Sequence, residues 1–163
     1  TVSDTHAVIL LAYTVGPETD SYAARLWEEE RYDESYLVKM YGAALAEALR
    51  SHYMLTLCDW AALQDLSLLP PEGPGYNDWP TQHMSEFYRC LLDGGGAALR
   101  NRIQLLPDGI LVPVNSMLLA FGLTSYSGLD RIRRRELYPC SDCTYTPCSH
   151  RRTPYRSGQP IGS

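Results

Sequence analysis

The feature that most constrains the fold is a long helical pattern in the first half of the chain. Asp33 stands where a helix N-cap is expected, and apolar side chains then recur at three- and four-residue spacing through about Leu57. The stripe includes Leu37, Tyr41, Ala44 and Ala48. Because residues at this spacing lie on one side of a helix, the sequence predicts a long helix with one apolar stripe.

Segments typical of β-strands occur on both sides of this helix in the sequence. They cover residues 6–15, 102–106, 110–114 and 116–123. The first ends at Gly16-Pro17, which predicts a buried strand stopped by a turn. The second and third are joined by Pro107-Asp108-Gly109, a hairpin signal because Asp and Gly accept turn dihedral angles.

Two shorter segments predict further helices. Residues 19–30 are acid-rich with an amphipathic pattern, and residues 79–92 place four apolar side chains on one face. Those four are Met84, Phe87, Tyr88 and Leu91, and Gly94-Gly95-Gly96 then ends the segment. The combined pattern is typical of the α+β class and predicts a twisted, mostly antiparallel sheet with helices packed on it.

Length and composition indicate one folded unit. The 163 residues suffice for a single domain with its own core, and periodicity is lost after Tyr138. We therefore expect a domain over residues 1–138 and a Cys- and Arg-rich tail over 139–163. No apolar run approaches the roughly 18 to 20 residues that span a bilayer, and no basic stretch precedes the first apolar one. A cytoplasmic protein without a membrane partner is expected.

Charge is distributed unevenly along the chain. Residues 1–130 carry 7 basic and 17 acidic side chains, whereas residues 131–163 carry 7 basic and 2 acidic ones. A basic tail can bind nucleic acid, but the acidic body would repel phosphates, so no nucleic-acid partner is expected. An acidic protein partner and a merely solvated tail both fit this distribution.

Four segments between about Ala7 and Ser125 occur in a fixed order. They read AYTVG, YDESYLVKMYGAALAEAL, PGY-x3-P and PDGILVPVNS. In sequence and order they resemble the reactivation domain at the C-terminal end of cobalamin-dependent methionine synthase, including its stand-alone bacterial relatives. The resemblance implies a curved, activation-domain-like α+β fold that binds S-adenosylmethionine in a shallow groove.

The same resemblance implies a function. The domain would work on cobalamin held by methionine synthase or another corrinoid-binding protein, when the cobalt has been oxidised to cob(II)alamin. A flavodoxin-like or ferredoxin-like reductant would supply an electron, and S-adenosylmethionine the methyl group, so that methylcobalamin is regenerated. As an enzyme, the chain would be part of a methyltransferase activity.

The resemblance assigns ligand-binding roles to four residues. Glu47, within Ala46-Glu47-Ala48, is expected to contact S-adenosylmethionine, because a carboxylate accepts from the ligand's ammonium and attracts its sulfonium charge. In the loop, Tyr76 and Asp78 match ligand-contacting positions, and Gly75 lets the backbone approach a ligand because it lacks a side chain. No residue is assigned a catalytic role, since the expected contribution is placement of the methyl group.

One departure from the family pattern leaves a second function open. The family has an arginine five residues before the loop tyrosine, and Pro71 stands there instead. Loss of this charge-assisted contact is worth about 1.5 to 3 kcal/mol, more than tenfold in affinity. The alternative is therefore a non-catalytic accessory protein that binds a corrinoid protein, or contains a metal or iron–sulfur cluster, and has lost S-adenosylmethionine binding.

A cysteine cluster in the tail is the second candidate site. Its members are Cys140, Cys143, Cys148 and His150. The first two thiolates can hold one soft metal ion, and the other two side chains can complete a zinc site. With a remote fourth thiolate the three cysteines fit an iron–sulfur cluster. Cys58 and Cys90 are candidates for that ligand, although each is more simply interpreted as a buried thiol. A disulfide and uncoordinated thiols remain open alternatives.

Overall fold

The structure is a computed structural model that describes residues 5–75, 79–94, 96–125 and Pro154. The described chain is α+β, as predicted, with three helices and antiparallel strand pairs. In chain order the elements are β1 (Ala7–Thr14), α1 (Glu18–Glu28), α2 (Tyr32–Ala62), β2 (Ser67–Leu68), α3 (Met84–Asp93), β3 (Gln104–Leu105), β4 (Leu111–Val112) and β5 (Ser116–Thr124). Short 3-10 helices at Thr81–His83 and Gly96–Asn101 precede α3 and β3. None of the helices in these residues has the length and apolar content needed to span a bilayer.

The central strand of the main sheet is β5, although it comes last among the described elements. The strand order is β1-β5-β2, and β5 runs antiparallel to both neighbours. The pairing with β1 extends from Ala7 opposite Leu123 to Thr14 opposite Ser116. On the other edge β2 contributes a two-residue pairing. The predicted hairpin forms a separate two-stranded sheet from β3 and β4.

The two faces of β5 belong to different apolar clusters, because successive side chains of a strand point to opposite faces. On one face Leu119 and Phe121 lie in a cluster with Met54 of α2. On the other face Leu118 lies in a cluster with Phe87 of α3, and residues next to the hairpin complete it. The central strand is therefore covered by α2 on one side and by α3 with the hairpin on the other.

The apolar stripe predicted for the long helix lies on its exposed side. Leu37 and Tyr41 of α2 are 64% and 62% exposed, and the alanines of the stripe are exposed as well. The residues that α2 buries are mostly small: Ser35, Gly42, Ala46, Met54 and Ala61. The side that faces the protein also carries Leu49, Tyr53 and Leu57, which pack partly buried against the core, so α2 has large apolar residues on both sides.

Close packing accounts for the small buried residues of α2. A side chain on Gly42 would overlap the amide of Asn115, which precedes β5. The Ser35 hydroxyl donates a hydrogen bond of 2.8 Å to the backbone carbonyl of Ala23 in α1. Only short side chains fit where neighbouring elements approach this closely. Asp33 was predicted as the N-cap, but it lies in the first turn, since α2 begins at Tyr32 with Arg31 as N-cap.

The other predicted elements are found with shifted ends. The predicted helix over residues 79–92 corresponds to α3 and its preceding 3-10 helix, and Gly94 is the C-cap. Its four apolar side chains all belong to the apolar cluster that contains Leu118 of β5. The first strand is less buried than predicted, since Val8 is 55% exposed. β1 forms an edge of the sheet, which leaves part of it in solvent.

Candidate functional site

The loop that follows β2 is fixed to the central strand. Leu69 donates its backbone N–H to the carbonyl of Gly122 at 2.8 Å. Glu72 and Ala120 exchange two backbone hydrogen bonds of 2.9 and 2.7 Å, which form an isolated bridge. Pro71 is buried within this stretch. The segment therefore runs along β5 beyond the end of β2 and has a defined position before any ligand is present.

Gly75 turns the chain away from the strand. Its φ of +92° is a conformation that residues with a side chain rarely adopt. Its backbone N–H donates to the carbonyl of Trp79 at 2.8 Å, which closes the turn. A Cβ atom added at Gly75 would lie 3.2 Å from the Thr81 methyl group, so the backbone is close to the start of the next helical segment. The glycine predicted for backbone approach thus occupies a position that requires glycine.

Trp79 connects the turn to α3. Its indole ring meets the Phe87 ring edge-on, with centroids 5.6 Å apart. Its Nε1–H lies 3.1 Å from Nδ1 of His83, which acts as the acceptor. These contacts hold the end of the turn against the apolar cluster that contains Phe87 and Leu118. Tyr76 and Asp78, the predicted ligand contacts inside the turn, lie outside the described residues.

Glu47 lies on α2 with its carboxylate already paired. Its Oε2 accepts a charge-assisted hydrogen bond of 2.7 Å from the Arg50 guanidinium one turn later. The two side chains are only 24% and 15% exposed, so solvent screens this pair less than a surface pair. The hydroxyl of Ser51 donates to the Glu47 backbone carbonyl. A ligand ammonium at Glu47 would have to share the carboxylate with Arg50.

In the described chain, the hydrogen bonds of Gly75 in the loop and those of Glu47 in α2 run to different residues. Gly75 is joined to Trp79, whereas the hydrogen bonds of Glu47 run to Arg50 and Ser51 within α2. Sequence reasoning did not single out Arg50. Its position three residues after Glu47 could have identified it as a partner, because side chains at this spacing meet on a helix.

Pro71, which stands where the resemblance leads one to expect an arginine, is buried in the structure. It lies between the hydrogen bonds that Leu69 and Glu72 make to β5. A long charged side chain at this point would have to leave the buried layer to reach solvent.

The metal-site prediction lies in a different part of the chain. Cys140, Cys143, Cys148 and His150 are outside the described residues. Among the residues that are described, no group of three His, Cys, Asp or Glu side chains is arranged to hold a metal ion. Cys58 is half-buried and packs against the core, as a buried thiol would. Cys90 was also interpreted as a buried thiol, but it is exposed, because it lies on the solvent side of α3.

The clearest electrostatic perturbation in the described chain lies away from the loop. Arg31 donates hydrogen bonds of 2.8 and 2.6 Å to the two carboxylate oxygens of Glu34, and one of 2.9 Å to Glu29. The hydrogen bonds from Arg31 lower the pKa of Glu34 below the ordinary glutamate value of 4.5. The three side chains are about half exposed, so they form a solvated cluster at the start of α2.

Comparisons of the chain with known protein families, with curated protein sequences and with solved structures gave no match. The function is therefore argued from the geometry of the loop and of α2, together with the four sequence segments. Of these features, the loop from Leu69 to Gly75 has the most specific geometry.

Proposed function

We propose that the chain is a reactivation module for a cobalamin-dependent methyltransferase such as methionine synthase, and that it binds S-adenosylmethionine for the reductive methylation of cob(II)alamin. In this role a partner protein carries the cobalamin. One electron from a flavodoxin-like or ferredoxin-like reductant and the methyl group of S-adenosylmethionine convert cob(II)alamin into methylcobalamin, and S-adenosylhomocysteine is released. Such a module works in the cytoplasm, beside its corrinoid partner.

The observation that supports this proposal is the position of the segment from Leu69 to Gly75. Glu72 joins the segment to β5, and the Gly75 N–H donates to the carbonyl of Trp79. Because these residues are held by hydrogen bonds within the protein, they lose little conformational entropy when a ligand binds, so more of the contact energy appears as affinity. The glycine also leaves its backbone open to close approach, as a ligand-cradling loop requires.

The proposed roles of the individual residues follow from their chemistry. Tyr76 follows Gly75 directly and would cover the ligand, while Asp78 would contribute contacts from the same turn. Glu47 would attract the ligand's ammonium and sulfonium charges through the carboxylate that Arg50 now holds. The basic tail would supply charge for an acidic partner or reductant. These groups position a methyl group near cobalt, which is catalysis by proximity and orientation.

Calorimetric titration of the full chain with S-adenosylmethionine tests the proposal. We expect binding in the micromolar range, which corresponds to about −8 kcal/mol. Tyr76→Ala should abolish binding, and Glu47→Gln should weaken it, because the ligand loses an ionic acceptor. Tyr22→Ala is the matched control, since Tyr22 is an exposed tyrosine on α1, far from the loop in the sequence.

A backbone variant makes the test independent of side-chain contacts. Gly75→Ala should weaken binding, because alanine disfavours the positive φ of the turn. Gly109→Ala is its control, since Gly109 has a φ of +86° in the hairpin and open space where a Cβ would lie. Millimolar or undetectable binding by the parent chain would contradict the proposal, as would equal losses in the two glycine variants.

A second candidate function is favoured by two of the observations. The arginine position is occupied by the buried Pro71, and the carboxylate of Glu47 is held by Arg50. Both features suit an accessory protein that binds a corrinoid protein without S-adenosylmethionine, with or without a zinc ion or iron–sulfur cluster in its tail. Such a protein should bind a corrinoid-loaded partner equally well with and without S-adenosylmethionine. Elemental analysis of the full chain for zinc and iron, after anaerobic purification, tests the tail site separately.

A further inference from the structure

The side of α2 that faces away from the core has an apolar surface without a partner in the described chain. We call it the outer face and define it by Leu37, Tyr41, Ala44, Ala48 and Leu55. All five are exposed, and the three large ones are 38% to 64% exposed. Because a helix that is apolar on both sides is normally covered on both, the outer face is a candidate docking surface.

The charges around the outer face define what can cover it. α2 itself carries four acidic and two basic side chains, a formal charge of −2. Asp33 and Glu34 lie at one end of the outer face, and Asp59 lies at the other. A matching occupant therefore has apolar side chains interspersed with basic ones.

A segment of that composition follows the last described strand. Residues 129–138 read LDRIRRRELY and contain four arginines together with the apolar residues Leu129, Ile132, Leu137 and Tyr138. With Asp130 and Glu136 included, the segment has a formal charge of +2, opposite in sign to the −2 of α2. We propose that, in the isolated chain, residues 129–138 bind to the outer face of α2 in the same molecule.

The end of the described fold is suitably placed for this contact. Thr124, the last residue of β5, pairs with Ser67, which follows the C-terminal end of α2 by five residues. From Ser125 to Tyr138 an extended chain reaches about 45 Å. The distance along the helix from Ala62 back to Leu37 is about 37 Å, at a rise of about 1.5 Å per residue. The segment can therefore reach the whole length of the outer face.

A second copy of the chain is a poorer occupant. The outer faces of two copies would bring together two helices with a formal charge of −2 each, and like charges across an interface oppose association. The basic segment instead brings opposite charge to α2, while its apolar residues cover the leucines and Tyr41. This contact does not depend on S-adenosylmethionine binding and can be tested without the ligand.

Photocrosslinking in the full chain tests the proposal. A benzophenone amino acid is placed at Tyr41, and in a matched control at Ile110, which is 51% exposed on the hairpin. We expect the Tyr41 probe to crosslink to residues 129–138, and mixed light- and heavy-isotope protein should show the two peptides to come from one molecule. The crosslink yield should fall severalfold near 1 M salt, where the Debye length is about 3 Å. It should fall likewise when Arg131, Arg133, Arg134 and Arg135 are all changed to Glu.

Other outcomes would overturn the proposal. These are crosslinks between two copies, tail crosslinks of equal yield from the Ile110 probe, a yield that neither salt nor the arginine changes affect, or no crosslink at all. Circular dichroism verifies that each variant is folded. Leu37 offers a second probe position on the same face if the Tyr41 variant does not fold.

Discussion

The inner and outer faces of α2 differ most in the first half of the helix. There the inner face consists of the small residues Ser35, Gly42 and Ala46, and it lies against α1 and the sheet. On the outer face of the same half, Leu37 and Tyr41 are exposed in the described chain. In this half closeness of approach, rather than side-chain size, determines which side is buried, whereas the second half packs Met54 and Leu57 on the core.

The largest difference between the two faces is expected from truncation of their large side chains. Met54 is completely buried on the inner side, so Met54→Ala should cost about 2 to 5 kcal/mol of unfolding free energy, through lost burial and a cavity. Leu37→Ala on the outer face should cost less than about 1 kcal/mol when it is made in a chain whose Arg131, Arg133, Arg134 and Arg135 are changed to Glu, because the tail segment then leaves the outer face in solvent. Urea denaturation of both variants in this background measures the difference, and equal losses would show that something other than the tail segment buries the outer face.

Replacing a small residue by leucine should destabilise the protein on the inner face of α2 and have little effect on the outer face. Gly42→Leu replaces a poor helix former with a good one, but the new side chain overlaps Asn115, so we expect a net loss of about 1 to 3 kcal/mol. Ala44→Leu on the outer face should change the unfolding free energy by no more than about 0.5 kcal/mol. Thermal and urea unfolding compare the two. A Gly42→Leu variant as stable as the parent would contradict close packing at this point.

Two hydroxyl side chains of α2, one buried and one exposed, allow the same comparison with a smaller expected change in the free energy of unfolding. Ser35 is 1% exposed and donates to Ala23, whereas the exposed Thr56 donates to His52 of its own helix at 2.9 Å. Ser35→Ala should cost about 1 kcal/mol, because a buried carbonyl of α1 loses a donor. Thr56→Ala should be neutral or slightly stabilising, because alanine favours the helix. If chemical denaturation ranks the two variants in the reverse order, Ser35 does not join α1 to α2.

The smallest effect is a titration at the start of α2. The pKa of Glu34 is lowered by the hydrogen bonds from Arg31, so this contribution to stability is present above pH 4.5 and is lost as the pH falls through the lower, folded-state pKa. A carboxyl-detected NMR titration should show Glu34 titrating below 4.5 in the parent and nearer 4.5 in Arg31→Gln. Arg25→Gln, on α1, serves as the control. An unchanged Glu34 titration in Arg31→Gln would mean that the pair is not formed in solution.

The sequence predicted those parts of the fold that local chemistry determines. The hairpin at residues 107–109, the strand over residues 116–123 and the helix that ends at Gly94 are found because turn residues and apolar patterns suffice to define them. The orientation of α2 was not predicted, since it depends on the approach of Asn115 from a distant part of the chain. The spacing of apolar residues predicts a helix, but it does not show which of two apolar sides of that helix is buried.

The ligand contacts of the candidate site stay predictions. Gly75 was predicted for close approach of its backbone to a ligand, and its positive φ is a conformational feature that the sequence analysis did not address. The pairing of Glu47 with Arg50 and the exposure of Cys90 were missed, because both depend on how helices are rotated against the sheet. Tyr76, Asp78 and the cysteine cluster stay predictions.

The central position of β5 has a consequence for synthesis of the chain. β1 ends at Thr14, whereas its partner strand β5 begins only at Ser116, so β1 is synthesised well before β5. Such distant pairing makes folding slow, since a long loop must close before the sheet contributes any stability. Until then β1 presents unpaired backbone groups and the apolar run around Ile9 and Leu10, so the nascent chain depends on protection from association at that strand.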